Sequence, residues 1–131
     1  MFCSIVTRSS LRLSVFRGLH TPASSSSTSS SSSRTLSFDE YPGPEGGTLP
    51  PLVILHGLYG SKQNWRTLAR KLPTDLNRTV IAVDMPNHGE SYHTDQMSYE
   101  SLAMDLKGFL KSQDISRAVI LGHSMVCGPL H

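Results

Sequence analysis

An α/β fold with a mostly parallel sheet and flanking helices is what this sequence predicts, on three observations. The apolar runs at residues 52–55, 79–83 and 118–121 have the length and continuity of strands buried on both faces. Between them lie two segments, one from Asn64 and one from Ser98, in which apolar residues recur at helical spacing. Strands and helices alternating at these lengths imply right-handed βαβ units, and hence a parallel sheet.

The chain opens on a segment of another character. Of its 131 residues, those before Asp39 carry Arg8, Arg12, Arg17 and Arg34 and no acid. Residues 1–19 combine arginine, serine and apolar residues, the composition of a mitochondrial transit peptide. Wound as a helix, they put Phe2, Ile5, Val6, Leu13 and Phe16 on one arc. A secretory signal needs an unbroken apolar core of about 7–15 residues, and the arginines interrupt every such window. No run approaches the ~18 apolar residues of a membrane span. The serine tract at 24–33 cannot bury apolar area and reads as a flexible linker. Residues 1–35 are therefore expected to be a disordered, mitochondrially addressed leader, residues 36–125 a partial globular domain, and residues 126–131 a divergent tail.

From Asp39 onward all ten acids face eight bases, so the basic balance of the whole chain belongs to the leader and not to a folded face. That argues against nucleic acid as a partner. The two cysteines, Cys3 and Cys127, lie at opposite ends and fit neither a disulfide framework nor a zinc site.

Within the body, Pro50 and Pro51 introduce the first strand, which ends at His56-Gly57. Trp65, Leu68, Ala69 and Leu72 mark a helix of about two turns that Pro73 is expected to stop. The second strand is rich in β-branched residues and closes on Asp84, before a polar loop at 85–96. Ser98 then reads as an N-cap, with Tyr99, Leu102, Ala103, Leu106, Phe109 and Leu110 forming the apolar stripe of a second helix.

In open α/β sheets ligands bind at the carboxyl ends of the strands, so the residues after each run carry the chemistry. The third strand leads into Gly122-His123-Ser124-Met125, the opening of a G-x-S-x-G nucleophile elbow in its required context. Such a turn strains the serine backbone and presents its Oγ to the crevice. The first strand leads into His56-Gly57-Leu58-Tyr59-Gly60, a glycine-bearing turn able to aim backbone N–H groups at a substrate oxygen. The backbone amides of Leu58 and Met125 are the expected pair of donors for a developing oxyanion. Taken alone, the first loop reads equally well as a plain βα turn. His88 and His93 fit no metal-ligand spacing and read as a solvated loop pair.

Three strand ends in this order, His56-Gly57, then Asp84-Met85-Pro86-Asn87-His88-Gly89-Glu90-Ser91, then Gly122-His123-Ser124-Met125, resemble the α/β-hydrolase family over residues 49–125. The details Gly57-Leu58-Tyr59-Gly60-Ser61-Lys62 and Met97-Ser98-Tyr99-Glu100 are similar to a mitochondrial branch of it. The resemblance implies a serine hydrolase of carboxylic esters, acylglycerol lipids among them, acting through an acyl-enzyme on Ser124 without cofactor or metal. It makes Leu58 and Met125 the oxyanion hole, gives Asp84 and the Asn87-His88-Gly89 loop a bracing role, and implies contact with the 2-oxoglutarate dehydrogenase complex. After Met125 the agreement stops: Val126 stands where the elbow has its second glycine, and Gly128 and Pro129 break any following helix. In this fold the triad acid and histidine follow the serine. A truncated or alternatively spliced form, nearly inactive alone, is thus expected, with the 118–121 strand left as an exposed apolar edge. The alternative is a non-catalytic fragment that acts by binding a partner.

Overall fold

Leu52, Val53, Ile54 and Leu55 are all buried, as are Val80, Ile81, Ala82 and Val83, as strands covered on both faces require. The computed structural model describes residues 2–8, 34–44 and 48–125. In chain order the elements are β1 (Phe2–Arg8), β2 (Phe38–Tyr41), β3 (Leu52–Leu55), α1 (Arg66–Leu76), β4 (Val80–Val83), α2 (Tyr99–Ser112) and β5 (Arg117–His123). A 3-10 turn, Lys62–Trp65, leads into α1. The sheet order is β1-β5-β3-β4-β2. β3 runs parallel to both β4 and β5, while β2 joins β4 antiparallel, so the body of the sheet is mixed and mostly parallel.

The two helices cover opposite faces, because the path reverses direction. β3 connects to β4 on one side, whereas β4 must cross back over β3 to reach β5, and crossovers of one hand place their helices on opposite faces when direction reverses. Strand alternation sorts the core accordingly. Val53, Leu55, Ile81, Val83, Ala118 and Ile120 pack with Leu102, Leu106 and Phe109 of α2. Leu52, Ile54 and Val80 pack with Ala69 of α1, flanked by Trp65 and Leu72. Each fully buried branched side chain contributes roughly 1.5–3 kcal/mol.

The Ser98 cap is present: its hydroxyl accepts the Ser101 N–H at 3.1 Å while the Ser101 hydroxyl receives the Ser98 N–H at 3.0 Å. Three features depart from expectation. The helix expected to stop at Pro73 runs on to Leu76. The proline ring removes only the bond it would have donated to the preceding turn, and the true stop is Asn77, a left-handed C-cap with φ 49°. Second, β2 carries no strong apolar alternation and escapes the sequence reading; its register Phe38↔Val83 and Asp39↔Ala82 comes from the open edge of β4. Third, within the leader expected to be disordered, residues 2–8 form β1, paired antiparallel with β5 from Phe2↔His123 to Arg8↔Arg117. The edge of β5 expected to be bare is therefore covered, since an unpaired row of N–H and C=O groups is satisfied by any extended segment in reach. The rest of the proposed transit peptide, the serine tract and the tail at 126–131 lie outside the described residues.

Candidate active site at the strand ends

The parallel register of β3 and β5 pairs Leu55 with Gly122, so the residues that follow each strand emerge side by side. On the β5 side the chain turns sharply. Ser124 has φ 57°, in the left-handed region, and is exposed. A serine there costs on the order of 1–2 kcal/mol relative to ordinary backbone, the kind of strain a nucleophile elbow stores. On the β3 side, Gly57 fits against that bend with no room to spare. A Cβ on Gly57 would lie 2.7 Å from His123 Nδ1 and 3.0 Å from Ser124 Cβ.

The loop after β3 is a tight turn closed by the Gly60 N–H donating to the Gly57 carbonyl at 2.9 Å. Leu58 and Tyr59 project from it, 53% and 93% exposed, Tyr59 with φ 60°. Met125 is half-buried and packs on the core under α2. Among the described residues neither the Leu58 nor the Met125 amide donates a hydrogen bond, so both predicted oxyanion donors are uncommitted. An open crevice of about 290 Å³ lies on the Leu58 side, lined by Leu58, Tyr59, Gly60, Asn64, Trp65 and His123.

Beneath the loop lies a polar brace. The buried Asp84 carboxylate accepts the Lys62 N–H at 2.6 Å and the Glu90 N–H at 3.0 Å, joining the loop after β3 to the loop after β4. Gly89, with φ 54°, passes so close that a Cβ there would fall 2.1 Å from Asp84 Oδ2. The Lys62 side chain is buried too. Its Nζ donates to Ser37 Oγ at 2.5 Å and Glu90 Oε2 at 2.6 Å, and lies 3.6 Å from Asp84 Oδ2. Burial works to lower the Lys62 pKa, but the Glu90 hydrogen bond and the Asp84 and Asp39 charges outweigh it and hold the ammonium above its ordinary range. Hydrogen bonding to Lys62 in turn keeps Glu90 below the usual carboxylate range.

His56 and His88 lie in the same layer, ring centroids 4.9 Å apart. Burial, the largest influence, pushes the His56 pKa down. Asp84 Oδ1 is 4.0 Å from His56 Nε2, but that nitrogen accepts the Met85 N–H at 3.0 Å and so carries no proton to form an ion pair. The 87–94 loop closes on itself: the Asn87 side chain receives the Thr94 N–H at 2.7 Å and donates to the Thr94 carbonyl at 2.9 Å. Tyr92 donates to Asp105 of α2 at 2.5 Å, and burial with that bond pushes its hydroxyl up to about 12.

The strand ends thus bring Ser124 and the Leu58 loop together and leave His93 exposed on the far loop. Lys62 and Ser37 are the participants that sequence reasoning missed. A lysine opening a helix reads as a surface residue, and its partners come from segments far along the chain. Among the described residues no three His, Cys, Asp or Glu side chains gather as a metal site requires, and no helix is long and apolar enough to cross a membrane.

Known proteins are similar to this chain in sequence and fold. The chain is 46% identical over 90 residues to the sn-1-specific diacylglycerol lipase ABHD11 of Xenopus laevis, covering 69% of this chain and 28% of that one. It is 47% identical over 75 residues to esterase YbfF of Escherichia coli, covering 57% and 29%. Among solved structures it is similar to a marine microorganism esterase, with 47% identity and a TM-score of 0.55 over 63% of this chain and 30% of that one. The chain therefore spans little more than a quarter of the length of the curated relatives it matches. A family model described as the alpha/beta hydrolase fold matches residues 50–127, the stretch that holds all three strand-end motifs. With a strained serine turn seated on a glycine loop at the ends of parallel strands, and relatives that are esterases and lipases, the chain belongs to the alpha/beta hydrolase family.

Proposed function

We propose that this chain carries the nucleophile and oxyanion hole of a serine hydrolase of carboxylic esters. The observation that carries the reading is the contact of the Gly57 turn with the left-handed Ser124 bend, beside two uncommitted amides at Leu58 and Met125. Ser124 Oγ attacks the ester carbonyl carbon as a base removes its proton. The oxygen that gains charge is held by the Leu58 and Met125 N–H groups, a contribution of roughly 3–4 kcal/mol per donor in comparable sites. The intermediate collapses with departure of the protonated alcohol, leaving an acyl group on Ser124 that water removes by the same route. In this fold the acid and the histidine base follow the nucleophile in chain order. Acylglycerols are the proposed substrate class, supported by the similarity to the diacylglycerol lipase of Xenopus laevis and by Leu58, Tyr59 and Trp65 around the crevice.

A second reading, a non-catalytic fragment acting through a partner, is favoured by one observation. Among the described residues Ser124 Oγ has no hydrogen-bonded base, without which a serine is a poor nucleophile. Fluorophosphonate labelling decides between them. The first reading expects label on the Ser124 peptide of protein taken from its natural source, lost in Ser124→Ala. Label in that protein but none on the purified 131-residue chain assigns the chain the non-catalytic role. No label on Ser124 in either overturns the hydrolase reading.

We propose a mitochondrial address on the composition of residues 1–19. Fusing residues 1–35 to a fluorescent reporter should send it to mitochondria, and a reporter that stays cytosolic removes the proposal.

A further inference from the structure

The two histidines near the crevice each make a pair of contacts that dictates their protonation. His56 Nδ1 lies 2.8 Å from the Gly57 carbonyl oxygen, and its Nε2 lies 3.0 Å from the Met85 amide nitrogen. A carbonyl only accepts and an amide N–H only donates, so the proton must sit on Nδ1 and Nε2 must be bare. His88 repeats the pattern. Its Nδ1 lies 2.9 Å from the Pro86 carbonyl oxygen, and its Nε2 accepts the Tyr59 N–H at 3.3 Å. Both rings are neutral Nδ1–H tautomers, and each joins the turn after β3 to the loop after β4.

What they grip on that turn is specific. His56 holds the Gly57 carbonyl, which belongs to the same peptide unit as the Leu58 N–H. His88 holds the Tyr59 N–H, which belongs to the same peptide unit as the Leu58 carbonyl. A trans peptide is planar, with its C=O and N–H pointing in opposite directions. Pinning the Gly57 oxygen therefore fixes the direction of the Leu58 N–H. That oxygen also receives the Gly60 N–H at 2.9 Å, so both its lone pairs are used and the plane has no freedom to flip.

We propose that His56 and His88 act as a pair of positioning residues, clamping the two peptide planes on either side of Leu58 so that its N–H is aimed at the oxyanion. This rests on the reading of Leu58 as an oxyanion donor, and it assigns a chemical role to the His88 loop beyond general bracing. The two histidines hold the turn by different atoms. His56 works on it through its donating Nδ1, His88 through its accepting Nε2.

That difference supplies the test. Asparagine reproduces the position of a histidine Nδ1 donor and glutamine the position of an Nε2 acceptor. In the full chain, residual dipolar couplings of the Leu58 and Tyr59 N–H vectors report the two planes directly. The Leu58 coupling should keep its wild-type value in His56→Asn and collapse in His56→Gln. The Tyr59 coupling should be kept in His88→Gln and collapse in His88→Asn. Nitrogen-15 spectra of the histidine rings should show Nδ1 protonated and Nε2 bare in both. Where Ser124 is labelled by fluorophosphonate, His56→Gln and His88→Asn should slow labelling by about 10–100-fold, and the other two variants by less than about threefold, since a misaimed donor loses part of what a deleted one loses. The same rank order of Asn and Gln at both positions, or a ring carrying its proton on Nε2, overturns the proposal. Couplings that follow the crossed pattern in a protein whose Ser124 is never labelled remove the hydrolase reading while upholding the clamp.

Discussion

The β-carbon that Gly57 lacks would lie 3.0 Å from the β-carbon of Ser124, closer than nearly all real side-chain contacts. Two residues far apart in the chain are thus in contact through a missing side chain, and the distance between the proposed nucleophile and its oxyanion loop is set by that absence. Gly57→Ala should force the two loops apart. Overpacking of this kind costs about 1–3 kcal/mol. Urea unfolding should register that loss, and fluorophosphonate labelling of Ser124 should fall at least about tenfold, as oxyanion contacts lengthen.

Ser124 should be stabilised by becoming glycine. Its φ of 57° is costly for any residue with a β-carbon, and glycine adopts it freely. After the greater unfolded-state entropy of glycine is subtracted, Ser124→Gly should gain up to about 1 kcal/mol. Ser124→Val, β-branched at the same position, should lose more than 1 kcal/mol, roughly. Denaturant midpoints of the two variants, moving in opposite directions, check the strain. A glycine variant that is less stable than wild type would show that the bend is relaxed.

Gly89→Ala should be among the most damaging single substitutions in the body. The added carbon would sit 2.1 Å from an oxygen of Asp84, at a residue whose φ is 54°. Steric displacement and backbone strain together cost about 3 kcal/mol or more. The loss should appear as a lowered thermal midpoint and proteolysis within the 85–96 loop.

Lys62→Met replaces a buried ammonium by an apolar chain of similar length. Asp84 keeps its two backbone donors, from Lys62 and Glu90, but loses the nearby positive charge. Leaving a buried carboxylate without its cation costs about 3–5 kcal/mol in fully enclosed pairs. The figure should be smaller here, about 2 kcal/mol, because the retained amide bonds still stabilise the carboxylate. Lys62→Arg, whose planar guanidinium does not reproduce a compact ammonium placed among Ser37, Asp84 and Glu90, should not restore the loss. Chemical denaturation of both variants tests this.

Acid should weaken the fold through His56. Its folded pKa lies below the ordinary histidine value of about 6.5, chiefly from burial, with His88 adding to the fall and the Gly57 carbonyl and Asp84 opposing it. The unfolded chain therefore binds a proton that the folded chain refuses. Stability is full above about pH 6.5 and declines as pH falls toward the folded value, by at most about 1.4 kcal/mol per pH unit. Glu90, held down by Lys62, titrates below this window. Urea midpoints between pH 7 and pH 5 should fall in wild type and fall less in His56→Asn.

Much of the fold is legible in the sequence because its signals are local. The continuous apolar runs of β3 and β4, the Ser98 cap and stripe of α2, and the glycine and serine placements at 57 and 124 each announce themselves within a few residues. Burial on two faces demands unbroken apolar runs, and a turn demands residues suited to its backbone. The boundary of α1 was less legible, because a proline warns of a stop that Asn77 actually makes.

The sequence by itself determined the class of fold, the order of the strand ends and the residue types gathered there. Only the tertiary structure decided that Phe38–Tyr41 adds a strand to β4, that Phe2–Arg8 covers β5, that Lys62 is buried among Ser37, Asp84 and Glu90, and that two histidines grip the turn around Leu58. The reason is physical: strand edges, buried charges and histidine tautomers are settled by whichever distant partner the fold brings within hydrogen-bonding reach, and no local pattern of residues records that distance.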